Sequence, residues 1–300
     1  MRNLTRLLVL AACAAAVLIG PRLRAQEAPH RIRDLIYRKK EGVALTMDVL
    51  QPPKPTGVGV LWMVSGGWFS SHANLEGLVT NGMMKGFLDR GQTVFLVVHG
   101  SQPRFGIPDI LPDIDRATRY IRAHADELGV DPNRLGIGGG SAGGHLSLMQ
   151  GARGSEGNPN APDPIDRVSS KVQAVACFFP PTDFLNWGST GVNALTVENL
   201  KPFYAPFQAA SREPDELARA CKFASPVTYV GKHMPPTLII HGDKDALVPI
   251  QQAEVWDKRL EELGVPHRLV VRPGQGHGWA TLGQDIAVLA EWIDTHAGKK

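Results

Sequence analysis

Short, mainly apolar runs alternate with helical patterns along this chain, and that alternation limits its fold more than any other feature. The runs are residues 45–50, 58–64, 93–98, 135–138, 172–178, 237–240 and 267–271. Their length and flanking turn residues suit strands. The last six are apolar enough for burial on both faces, whereas 45–50 alternates like a half-exposed strand. Between them, Ile114, Ala117 and Ile121 recur at helical spacing, as do Ala253, Trp256, Leu260 and Leu263, and Leu282, Ile286, Leu289 and Ile293. Gly264 is placed to end its helix in a left-handed conformation. Strands separated by helices are joined by crossovers, which requires a mostly parallel sheet with helices on its faces. The expected fold class is therefore α/β.

A chain of 300 residues, 43% hydrophobic, is long enough to close a sizeable core. A single domain over 26–300 is expected, because parallel α/β folds often use this length as one unit. Two stretches interrupt the alternation. Residues 151–170, rich in Gly, Pro, Asn and Asp, read as a surface loop. Residues 183–224 hold Trp187, Phe203, Tyr204 and Phe207, and read as short helices forming a lid over the C-terminal edge of the sheet.

The first 25 residues have the parts of an export signal: Arg2 and Arg6, an apolar run from Leu7 to Ile19, then Gly20-Pro21 and a cleavage position near Ala25. The run is shorter than the ~20 residues that span a bilayer. Leu10-Ala11-Ala12-Cys13 also resembles a lipoprotein box, but few apolar residues precede Cys13 and the run continues past it. Arg2, Arg6, Arg22 and Arg24 all lie in this segment, so the basic balance of 32 Lys+Arg against 29 Asp+Glu belongs mostly to it. No basic cluster with interleaved aromatics remains, and a nucleic-acid partner is not expected. Cys177 and Cys221 are too few and too far apart for a disulfide framework or a paired zinc site. An export compartment permits one bridge, but two buried free thiols is the simpler account.

Gly139-Gly140-Ser141-Ala142-Gly143 fits G-x-S-x-G and lies between the run 135–138 and a helical segment from Gly144. A serine on such a turn is held in a strained conformation, with its hydroxyl at the sheet edge near a helix N-terminus. Ser141 is the candidate nucleophile. A serine alkoxide does not form unaided at neutral pH, so a histidine must take its proton and an acid must orient that histidine. Asp245 follows the run 237–240 and is the candidate acid, with Asp243 its competitor. His277 follows the run 267–271 between Gly276 and Gly278, and is the candidate general base. The oxyanion formed on attack needs backbone donors. Ala142 supplies one, and Gly67 and Trp68, in Ser65-Gly66-Gly67-Trp68-Phe69 directly after the run 58–64, supply the others. Trp68, Trp187, Phe203, Tyr204 and Trp279 are candidates for an aromatic wall, with core packing the alternative for each. No metal-binding helix or loop motif is present, so neither metal nor cofactor is expected.

From about Asp34 onward these motifs resemble the α/β-hydrolase superfamily, especially the bacterial esterase branch related to feruloyl and acetyl esterases. The order Ser141, Asp245, His277 matches that superfamily, as do Pro180-Pro181-Thr182-Asp183, His241 to Pro249 and Gly274 to Trp279. With the export signal and the ordered triad, the expectation is an exported serine carboxylic-ester hydrolase working through an acyl-enzyme, and the resemblance implies short-acyl or carbohydrate-linked esters as its substrates. An amide or peptide hydrolase of the same fold, or a non-catalytic binding protein on this scaffold, are the alternatives. One departure is Ser65, which stands where the family's oxyanion loop opens with histidine, so the loop must be braced by the Ser65 hydroxyl or from elsewhere. Phe69 and His72 follow that loop, as site-lining or packing residues. The resemblance places His145 in the nucleophile helix as a supporting group bonded to nearby loops.

Overall fold

The computed structural model describes residues 28–298. The export segment read at 1–25, with Cys13, lies outside the described residues. One sheet is formed by β1 (His30–Lys40), β2 (Val43–Gln51), β3 (Gly59–Met63), β4 (Thr93–Val97), β5 (Leu135–Gly140), β6 (Ala174–Phe178), β7 (Thr237–Gly242) and β8 (His267–Arg272), in the order β1-β2-β4-β3-β5-β6-β7-β8. β3 to β8 run parallel, and β2 lies antiparallel to both β1 and β4. The helices are α1 (His72–Thr80), α2 (Lys85–Leu88), α3 (Ile107–Ala123), α4 (Ala125–Leu128), α5 (Ala142–Arg153), α6 (Pro214–Ala224), α7 (Gln251–Leu263) and α8 (Leu282–Ala297).

Alternate strand residues feed two cores, one on each side of the sheet. Val60, Trp62, Leu238 and Ile240 join Phe87 of α2 and Ile286 and Leu289 of α8. Leu61, Met63 and Ile239 join Ile114 of α3, Leu146 of α5 and Trp256 of α7. Burying one such side chain contributes about 1.5–3 kcal/mol. These cores, rather than exposed ion pairs worth about 0–1 kcal/mol each, hold the layers together. Cys177 and Cys221 are both buried and free, as the simpler reading expected, and burial pushes both thiols up.

After β3 the chain moves to one side to form β4, then returns to the other side of β3 to form β5. This reversal opens a crevice between the loops leaving β3 and β5, the place where open α/β sheets bind ligands. Ser141 leaves β5 and the loop from Val64 leaves β3, so both reach the same crevice.

Four expectations need correction. β1 went unread because Asp34 has φ of 54° and the register slips between Ile32 and Leu35 and between Ile36 and Arg38, which breaks the two-residue alternation. β2 is buried rather than half-exposed over 45–50: Leu45, Met47 and Val49 join one core and Leu50 the other. Its Asp48 is satisfied by Arg31 Nε at 2.7 Å and the Asp34 amide at 3.0 Å. β8, expected to be buried on both faces, is the sheet's edge, and Val271 is 41% exposed. The presumed loop 151–170 begins inside α5, which continues to Arg153, and contains a 3-10 turn at Pro164–Arg167.

Candidate active site

The turn from β5 into α5 holds Ser141 at φ 55° and ψ −120°, outside the regions open to most L-residues. Its backbone is fixed by Ser141 N–H to Phe178 O at 3.0 Å and His145 N–H to Ser141 O at 2.9 Å. Small neighbours are compulsory here. A Cβ on Gly139 would lie 2.6 Å from Gly143 C, and one on Gly143 would lie 2.7 Å from Met63 O. Both obstacles are backbone, which no rotamer change relieves.

The three residues singled out from the sequence meet above this turn. His277 Nε2 lies 2.9 Å from Ser141 Oγ, and His277 Nδ1 lies 2.7 Å from Asp245 Oδ2. An ionised carboxylate only accepts, so Nδ1 carries the proton donated to Asp245, which leaves Nε2 to accept from the serine hydroxyl. Asp245 Oδ1 is held by the amides of Leu247 and Val248, each at 2.9 Å. Burial pushes the Asp245 carboxyl up, but hydrogen bonds from His241, His277 and the Val248 amide more than offset it, holding the group well below the usual carboxylate range. The competitor Asp243 instead accepts from the Gly274 amide at 2.6 Å and braces the loop that carries His277.

Two supporting residues had no role assigned from sequence. His241 is fully buried, donates from Nε2 to Val248 O at 2.9 Å, and lies 3.3 Å from Asp245 Oδ2, so it pins the acid's turn from below. Phe179, at φ 35°, packs its ring at a tilt against the His277 imidazole, with centroids 4.5 Å apart. Its mark in the sequence was faint, an aromatic residue immediately after a strand.

Ala142 opens α5, where the first amides have no intrahelical acceptor. Gly67, at φ 55°, and Trp68, at φ 60°, form a tight turn closed by reciprocal Gly66 and Phe69 hydrogen bonds. Among the described residues, neither the Gly67 nor the Trp68 amide has a partner. Gly67, Trp68 and Ala142 border the same cavity as Ser141. Ser65 does not brace this loop, since its buried hydroxyl has no hydrogen-bond partner. Bracing comes instead from Ser70, whose Oγ donates to Val64 O at 2.5 Å and accepts from the His99 amide at 3.2 Å. It comes also from the Trp68 indole, which donates to His145 Nδ1 at 3.1 Å. His145 Nε2 in turn donates to Ala224 O at 2.7 Å, the supporting task expected of it. Burial lowers the His145 pKa to about 4, so the ring stays neutral and Nδ1 keeps the lone pair the indole needs.

Two cavities meet at Ser141. One is narrow, about 40 Å³, and lined by Phe184, Leu195, Phe203 and Phe207 together with Ala142 and Gly67. The other is an open groove of about 640 Å³ that includes His277, Phe179, Asn74 and Asn81. Of the expected aromatic wall, Trp68, Trp187, Phe203 and Tyr204 border the narrow cavity. Trp279 does not: it packs on Phe178 and Phe179 and donates its indole N–H to Asp285 at 2.8 Å. Phe69 and His72 line neither cavity. Phe69 is exposed, and His72 faces Thr46 and Asp34. Among the described residues no cluster of His, Cys, Asp or Glu is arranged to hold a metal ion, and no helix is long and apolar enough to cross a membrane.

A parallel sheet with β2 alone reversed, a strained serine between strand and helix, and acid and histidine on the loops after β7 and β8 together define an α/β-hydrolase fold. The chain belongs to the BD-FAE family, whose model matches residues 47–260. It is similar to a probable carboxylic ester hydrolase, LipM, of Mycobacterium tuberculosis, at 28% identity over 207 residues, 68% of this chain and 45% of that protein. Esterase LipC of the same organism is 27% identical over 232 residues, 77% of this chain and 55% of that protein. The chain thus spans about half the length of these curated relatives. Among solved structures, a truncated carbohydrate esterase from gut microbiota superposes with a TM-score of 0.76 at 22% identity, over 92% of this chain and 99% of that one. A thermophilic esterase of Thermogutta terrifontis does so with a TM-score of 0.64 at 23% identity, over 90% and 92%. At these identities the likeness concerns the fold.

Proposed function

We propose that this chain is an exported serine hydrolase of carboxylic esters, with short-acyl or carbohydrate-linked esters as substrates. The observation that carries the reading is the continuous relay from Ser141 Oγ through His277 to Asp245, with gaps of 2.9 and 2.7 Å, opening onto a groove. The names of the similar proteins, ester hydrolases among them, support the choice of bond.

Ser141 Oγ attacks the ester carbonyl as its proton passes to His277 Nε2. The carbonyl oxygen takes the negative charge and is met by the amides of Gly67, Trp68 and Ala142. When the intermediate collapses, His277 gives that proton to the departing alkoxide and an acyl-Ser141 remains. Water then enters, loses a proton to His277 and attacks the acyl carbon, releasing the carboxylic acid and restoring the serine. Asp245 holds His277 in the required tautomer throughout. The groups that do this work all belong to the chain.

The test is labelling by a fluorophosphonate, read by mass spectrometry at Ser141, beside parallel assays of acetyl esters and peptide amides. Labelling at Ser141 with ester turnover in excess of amide turnover is expected. A folded protein that takes no label favours a binding protein, and faster amide cleavage favours an amidase. Export rests on residues 1–25 alone. N-terminal analysis of the protein from its host is expected to show Gln26 first; a lipidated Cys13 or an intact Met1 would contradict that.

A further inference from the structure

We propose that Phe203 is the wall between the two cavities at Ser141, and that its ring sets how large an acyl group the site accepts. The inference rests on the ester-hydrolase reading above and deepens it.

Proton transfer decides which part of the substrate occupies which cavity. The departing alcohol oxygen must receive its proton from His277 Nε2, so the alcohol lies on the side that His277 lines. That side is the open groove; His277 does not border the narrow cavity. The acyl group therefore takes the narrow cavity, beside Ala142 and Leu195.

Their sizes then divide the substrate unequally. Holding one water requires about 10–15 Å³ of such space. A cavity of about 40 Å³ thus accepts two or three heavy atoms beyond the carbonyl carbon, and the groove, at about 640 Å³, accepts an aryl- or sugar-sized alcohol. The matching substrate class is an acetyl or propionyl ester of a bulky alcohol.

Gly67, Ser141, Leu247 and Phe203 border both spaces, and of these Phe203 has the largest side chain. It ends the 3-10 turn Glu198–Phe203, which Tyr204 staples by donating from its hydroxyl to Val197 O at 2.6 Å. Its ring lies against the oxyanion loop, because a Cβ on Gly67 would come within 2.7 Å of it. Of the other aromatic side chains lining the narrow cavity, Phe184 and Phe207 are buried at 2% and 6% exposure and have core behind them. Behind Phe203 lies the groove. Truncating Phe203, the larger of the two apolar side chains shared with the groove, widens the narrow cavity into it, whereas truncating Phe184 or Phe207 opens the cavity toward the core.

Benzyl acetate and methyl phenylacetate test the idea, being constitutional isomers that exchange the small and the bulky half while releasing alcohols of similar basicity. The wild-type protein is expected to favour benzyl acetate. In Phe203→Ala the kcat/KM ratio of methyl phenylacetate to benzyl acetate is expected to rise about tenfold or more, with a smaller rise in Phe203→Leu, which preserves most of the packing if the alanine variant does not fold. A ratio within about twofold of wild type in a folded variant that still labels at Ser141 overturns the inference and leaves the ester reading standing. A wild-type preference for methyl phenylacetate overturns it as well. Turnover of neither isomer, with no labelling at Ser141, removes the ester reading and this inference with it.

Discussion

Ser141→Ala is expected to lower kcat/KM toward acetyl esters by about 10⁴- to 10⁶-fold while leaving the urea midpoint of unfolding near that of the wild type. The loss follows from removing the hydroxyl that lies 2.9 Å from His277 Nε2, so that no acyl-enzyme forms. The turn itself has no need of that hydroxyl. Ser141 makes no side-chain cap to α5, and the bonds that hold the strained backbone, to Phe178 O and from His145 N–H, run through the main chain. An alanine at φ 55° is no worse placed than the serine. Residual turnover above the uncatalysed rate is expected from the unpartnered amides of Gly67 and Trp68, which still meet a developing oxyanion. Activity within tenfold of wild type would mean that another nucleophile does the chemistry.

The three members of the relay were legible in the sequence for a physical reason. Each leaves the C-terminal end of a strand on a turn tight enough to fix one side chain, and such turns leave a mark of glycine near the candidate residue: Gly139 and Gly143, Gly242, Gly276 and Gly278. Helices with an apolar stripe were legible for a similar reason, since burial repeats with the helical period. Elements without a period were not. β1 carries two register slips, and the 3-10 turns within 194–207 follow no long repeat, so Phe203 and Tyr204 were candidates by residue type while Leu195 and Leu200 beside them carried no signal. Roles that depend on three-dimensional closure were invisible too. His241 acts on Asp245 only because the turn folds back until Val248 O meets its ring. Trp279 is two residues from His277, yet Gly278 at φ 109° lets the chain swing the indole away to Asp285. Ser65 illustrates the converse: a departure from the family's loop was plain in the sequence, but its replacement, the indole of Trp68 on His145, joins residues far apart in the chain.

Asp245→Asn is expected to cost about 10⁴-fold in kcat, because it reverses the tautomer of His277. The direction of the new amide is dictated by the turn. Asp245 Oδ1 accepts two amides, from Leu247 and Val248. In the variant the asparagine oxygen must take that place, since its NH₂ there would face two donors and leave two hydrogen bonds unmade at about 1–3 kcal/mol for each group left unsatisfied. The NH₂ therefore takes the Oδ2 place, giving up the single longer contact with His241 Nε2 rather than the two amides, and donates to His277 Nδ1. A neutral imidazole that accepts at Nδ1 carries its proton on Nε2, and a protonated Nε2 cannot accept the hydroxyl proton of Ser141. The site stays intact in shape and loses its base. Nitrogen NMR of the variant is expected to show His277 protonated at Nε2, where the wild type is protonated at Nδ1. Acid stability supplies a second readout with a definite sign. The folded-state pKa of Asp245 is depressed, so the carboxylate stabilises the fold above the unfolded value of about 3.9 and that contribution is lost as pH falls toward the lower folded value. Asparagine does not titrate, so the variant is expected to lose less stability than wild type on passing from pH 5 to pH 2. A variant with kcat within about tenfold of wild type and His277 still protonated at Nδ1 would show that the carboxylate does not set the tautomer.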